Sequence, residues 1–169
     1  MKNRKTTFAL YFGNRGFFPE SLIAGARSEL KAAVRTCGYD VLMMEEKATR
    51  YGAVEATDEG RKYAAFLARN RGKFDGVILC LPNFGDETGA VAALWDAGVP
   101  ILIQAFPDEL DKMAPATRRD AFCGKFSVMD VFCQHGIPFT VLPPHTVHPT
   151  GERFAGQVDY FDRLCRVYN

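Results

Sequence analysis

No stretch of this 169-residue chain approaches the roughly 20 apolar residues that cross a bilayer. No charge of one sign dominates either: 21 basic and 20 acidic residues leave a net charge of +1. Lys and Arg form no stripe, so nothing points to nucleic acid or to an anionic membrane surface as a partner. The five cysteines are odd in number, irregular in spacing and without a CxxC pair. That excludes a disulfide framework or a zinc ribbon and favours reduced thiols in the cytoplasm. The basic start, Met1 to Lys5, leads into an apolar run that ends at Phe12, too short and wrongly flanked for a secretory signal. Low-complexity tracts and internal repeats are missing. Gly13-Asn14-Arg15-Gly16 is not GxGxxG, and no GxxxxGK[ST] or hydroxyl-rich loop follows the first strand. A phosphate cradle, and with it a flavin nucleotide, therefore has little support.

What is present is an ordinary globular composition, 47% hydrophobic and 24% charged, enough for one domain with a sizeable core. Apolar runs alternate with helical periods. Strands are expected at 8–12, 41–44, 77–81, 100–104 and 139–142. Leu22, Ile23, Ala26, Leu30, Ala33 and Val34 share one helical face, and Gly38 stops that helix. Asp58 is placed to cap a second helix that buries Tyr63, Phe66 and Leu67. A third helix starts near Asp86, carries Val91, Leu94 and Trp95 and ends at Gly98. A fourth spans Lys125 to His135 with Val128, Met129 and Phe132 inward, and a last one buries Phe154, Val158, Phe161 and Cys165. Five strands, each followed by a helix, predict an α/β three-layer sandwich with a five-stranded parallel sheet. Its order is flavodoxin-like, 2-1-3-4-5, with a Rossmann-like order as the alternative. One domain covers residues 1–169, either as a complete small protein or as one domain of a longer chain.

In such a sheet the loops after strands one, three and four share one rim, where ligands bind. Those loops carry Asn14 and Arg15, then Asn83, Phe84, Gly85, Asp86 and Glu87, then Gln104, Phe106, Pro107, Asp108 and Glu109. The stretch Phe122-Cys123-Gly124-Lys125 opens the fourth helix beside them. A guanidinium, an ammonium, two amides and several carboxylates suit a polyhydroxylated ligand, whose hydroxyls both donate and accept. Asp86 and Glu87 have an equally good second reading, as the cap and first-turn charge of the third helix. For Lys125 the plainer alternative is a solvated first-turn lysine. His145 and His148 sit three apart in a proline-rich loop with no third metal ligand nearby, which favours ordinary loop histidines. Cys80 and Cys123 read as small buried hydrophobes.

Four motifs add up in order: FGNRGFFP, LPNFGDE, Gln104-Ala105-Phe106-Pro107 and FCGKFSVMDVFCQHGIP. Together they resemble the N-terminal domain of the L-fucose/L-arabinose isomerase-like family, over nearly the whole chain. The resemblance implies an aldose–ketose isomerase that uses a divalent metal, often manganese, with its metal ligands in later domains. It implies an open-chain sugar as substrate, a homo-oligomer (trimer or hexamer), and other domains of the same chain as partners. No cofactor is then bound by this domain, and the isolated domain is not catalytic. Arg15 matches the family arginine that reaches a neighbouring subunit's sugar. The Asn83–Glu87 loop matches the wall of that pocket, and Lys125 and Ser127 match a further loop motif. The substrate-binding set implied is Asn14, Arg15, Asn83, Phe84, Asp86, Glu87 and Lys125. Where fucose isomerases place a tryptophan early in the pocket loop, this chain has Pro82-Asn83-Phe84, which puts Phe84 in that role. A stand-alone sugar-binding or assembly module of the same fold is the alternative. A flavodoxin-like nucleotide binder is a third and weaker one.

Overall fold

The computed structural model describes residues 4–169; Met1 to Asn3, the head of the basic start, lie outside the described residues. Four strands form one parallel sheet: β1 (Thr7–Phe12), β2 (Asp40–Met43), β3 (Gly76–Leu81) and β4 (Ile101–Ala105). Their order across the sheet is β2-β1-β3-β4. Five α-helices alternate with them: α1 (Ser21–Thr36), α2 (Thr57–Arg69), α3 (Glu87–Leu94), α4 (Ala121–Gln134) and α5 (Glu152–Tyr168). The register sets Phe8 beside Val41 and Gly76, and Val77 beside Ile101.

The fifth strand is a correction to the sequence reading. Segment 139–142 lies beside β4 but pairs through one bridge, Leu102 with Thr140. Thr140 N donates to Ile101 O at 2.7 Å and its carbonyl accepts from Ile103 N at 3.0 Å. Pro138, two residues earlier and on the same side of the ladder, has no N–H to extend it, and Pro143-Pro144 follow directly after Leu142. Among the described residues the sheet therefore has four strands, and its β4 edge is capped by a proline-bounded segment.

The period-2 alternation of the strands decides the layers. Ala9, Tyr11, Val77, Leu79, Leu81, Ile101 and Ile103 face α2, α3 and α4. Phe8, Leu10, Phe12, Ile78, Cys80 and Leu102 face α1 and α5. On α1, Ile23, Ala26, Leu30, Ala33 and Val34 are buried, as their spacing requires. Each of the three larger ones contributes about 1.5–3 kcal/mol by leaving water. Gly38 ends the helix at φ +92°, with its N–H on Arg35 O and Tyr39 N–H on Val34 O, a Schellman closure.

Several local expectations shift. Trp95 is 66% exposed, because α3 stops at Leu94 and buries Ala90, Ala93 and Leu94, a face centred roughly 150° round the helix from it. Asp58 does not cap α2; it pairs with Arg61 on the surface at 2.8 Å. Glu59 takes the capping part, accepting from the backbone N–H of Glu55 at 2.7 Å and of Arg50 at 3.0 Å. Helices α2 and α3 touch backbone to backbone. A Cβ on Gly60 would stand 2.3 Å from Gly89 O, so only glycine allows that approach.

Candidate functional site

The carboxyl ends of β1, β3 and β4 open onto one rim, and three loops meet there. Two buried amides join the first two. Asn14 is 1% exposed and Asn83 is fully buried. Asn83 Nδ2 donates to Asn14 Oδ1, while Asn83 Oδ1 accepts from Arg15 N at 3.3 Å and Gly85 N at 3.2 Å. Asn14 Nδ2 donates to Glu55, and Asn14 N to Val54 O at 3.0 Å. Buried amides must find partners, and these find them in each other and in the loops they join.

Arg15 stands on that clasp. Its Nε donates to Gly85 O at 3.0 Å, and one Nη pairs with Glu87 Oε2. Its guanidinium lies over the Phe84 ring, 4.6 Å from the centroid. The remaining N–H groups of the fork have no partner among the described residues, and the side chain is 27% exposed. Glu87 is held on its other oxygen too: Ser127 of α4 donates to Oε1. Asp86 caps α3, its Oδ1 accepting from Gly89 N and Thr88 Oγ1, both at 2.7 Å.

Lys125 departs from the solvated-lysine reading. Helix α4 begins at Ala121, so Lys125 lies a turn inside it, and it is 2% exposed. Its Nζ donates to His145 O at 2.9 Å. Burial lowers its pKa to about 8. Phe122, Cys123 and Gly124 are likewise helical rather than loop. Gly124 lets α4 meet the pocket loop, since a Cβ there would come within 1.8 Å of Phe84 O. Cys80 is buried as expected, but Cys123 is exposed on the outer face of α4.

The third loop closes the rim with arginines. Arg119 lies 4.9 Å from the Phe106 centroid and donates to Pro82 O at 3.0 Å. Arg118 lies 5.6 Å from Phe18, whose ring stacks on Phe84 at 5.9 Å. Asp108 accepts from Arg119 N at 2.9 Å and Asp120 N at 3.1 Å, holding Asp120 at φ +49°. Gln104 turns away from the rim surface; it is buried and donates to Val147 O at 2.8 Å. Sequence reasoning assigned no role to Glu55, Phe18, Arg118 or Arg119. The Arg118-Arg119 pair just before a helix was the one available signal.

The structure thus brings Asn14, Arg15, Asn83, Phe84, Asp86 and Glu87 into one cluster, with Lys125 beneath the adjoining 143–147 loop. This donor set does not fit a divalent metal. Its carboxylates are already engaged by Arg15, Ser127 and the α3 backbone, and no group of three metal-ligating side chains occurs among the described residues. His148 approaches Glu29 at 3.4 Å and Thr150 at 2.8 Å, with no third ligand. No described helix is long and apolar enough to cross a membrane. What the rim offers is a partly buried cationic fork beside an aromatic face, with the chemistry to donate hydrogen bonds to oxygen acceptors.

A family model described as "Fucose/sulfoquinovose isomerase, N-terminal domain" matches residues 9–169. No curated protein matches the chain.

Proposed function

The chain belongs to the fucose/sulfoquinovose isomerase N-terminal domain family, and from that premise we propose that it is the substrate-covering and assembly domain of an aldose–ketose isomerase. The family match along residues 9–169 carries this reading. The rim supports it, since Arg15 keeps free N–H groups beside the Phe84 ring at the ligand-binding end of the sheet. In this proposal Arg15 donates to sugar oxygens, and Phe84 packs against the sugar's C–H face and excludes water there. Asn14, Asn83, Asp86, Glu87 and Lys125 surround that contact. The strand order, with segment 139–142 in fifth place, leads us to class the fold as flavodoxin-like.

The same reading makes this the N-terminal domain of a longer chain, inactive by itself and assembled as a trimer or hexamer. Mn2+ or another divalent metal would be held by later domains, since the donor set here does not suit one. The five free thiols accord with a reducing cytoplasm. The test is conversion of an aldose to its ketose by the full-length enzyme. Arg15→Ala should raise KM roughly 10- to 100-fold, the loss of charge-assisted hydrogen bonds, with the thermal midpoint retained. An unchanged KM in a folded variant would remove Arg15 from the substrate site and this reading with it.

A further inference from the structure

Glu87 carries a negative charge at the rim, yet neither of its oxygens is free. Oε2 takes Arg15 and Oε1 takes Ser127 Oγ, and the side chain is 17% exposed. The three side chains come from separate elements. Arg15 lies on the loop after β1, Glu87 in the first turn of α3, and Ser127 on α4. A flexible arginine loses much rotamer freedom when it binds a ligand. Here that loss is met before the ligand arrives. Gly85 O fixes Nε, Cζ lies over the Phe84 ring, and Glu87 fixes one Nη. What remains presented is the rest of the fork in one orientation.

The geometry points to Glu87 as a positioning residue: it holds Arg15 toward the sugar, is itself oriented by Ser127, and does not touch the sugar. This rests on the reading that Arg15 contacts substrate. It differs from that reading in taking Glu87 out of the direct binding set and adding Ser127 behind it. A carboxylate that bound hydroxyls directly would need a lone pair open to the rim; each Glu87 oxygen already accepts one hydrogen bond, and little of the side chain is exposed. A carboxylate that moved a proton would need an oxygen turned to the substrate, whereas these two are turned to Arg15 and Ser127.

The experiment is a double-mutant cycle in the full-length enzyme: wild type, Arg15→Ala, Glu87→Ala and the double variant, each with KM, kcat and thermal midpoint. Glu87→Ala should raise KM about tenfold at little change in kcat, and should add almost nothing on the Arg15→Ala background. Glu87→Gln keeps an acceptor for Arg15 and should recover part of the loss. Ser127→Ala removes the outer hydrogen bond alone, so it tests the chain even where Glu87→Ala fails to fold. It should raise KM by a smaller factor, again only while Arg15 is present. Equal penalties with and without Arg15 would overturn the inference and return Glu87 to direct contact. A fall in kcat at constant KM would overturn it in favour of proton transfer. If Arg15→Ala itself leaves KM unchanged, the functional reading fails first and this inference goes with it.

Discussion

At the scale of single residues, Lys125 shows most clearly how burial changes chemistry. It is an ammonium with one carbonyl partner, and burial lowers its pKa to about 8. In the unfolded chain the amine keeps its proton up to the ordinary lysine range, ~10.4. Between those values the unfolded state holds the extra proton, so stability rises with pH through that window. Below about pH 8 both states are protonated and the fold carries the full cost of the buried charge. Relative to Lys125→Met, the wild type should therefore gain on the order of 1–3 kcal/mol between about pH 7.5 and about pH 10. Denaturant titrations of both proteins at the two pH values measure it. The comparison cancels groups that titrate in both, such as Tyr39 and Cys165, whose pKa values burial pushes up to about 12. A constant difference across the window would mean that Lys125 does not carry a buried charge.

At the scale of elements, the short helix α3 does more than its eight residues suggest. Its N-terminus is set by Asp86, its first turn holds Glu87, and its glycine face lets α2 approach closely. Removing the cap with Asp86→Ala should cost about 1 kcal/mol, and Asp86→Asn should restore most of it. The urea midpoint reads this directly. If Asp86→Ala leaves the midpoint unchanged but raises KM for the sugar, Asp86 is a ligand contact and not a cap. Helical faces were legible because an apolar period of 3.6 is local information, and Ile23, Leu30, Val128 and Phe161 all lie where their spacing puts them. The fifth strand was not legible in the same way. Phe139 to Leu142 has the composition of a strand, but Pro138, the neighbour of Thr140 on the same side of the ladder, has no N–H, and the chain runs into Pro143-Pro144 directly after Leu142.

At the scale of the whole molecule, the two apolar layers carry the shared rim, which in the proposed function is one half of a site completed by other domains. A strong chelator should leave the thermal midpoint of the 1–169 domain unchanged and abolish aldose–ketose conversion by the full-length enzyme. A midpoint that falls on chelation would place a metal in this domain and contradict the donor set seen at its rim. The sequence by itself determined where the four paired strands and the five helices lie, and which loops share the rim. Those follow from period, turn residues and the handedness of crossovers, which are properties of neighbouring residues. Tertiary structure alone decided that Lys125 is buried, that Asn14 grips Asn83 across 69 positions of chain, and that Glu87 faces Arg15 and Ser127 instead of solvent. Such pairings depend on how far one helix or loop approaches another. Here those distances are set by glycines at 60, 89 and 124, whose missing side chains count only once the partner surface is present.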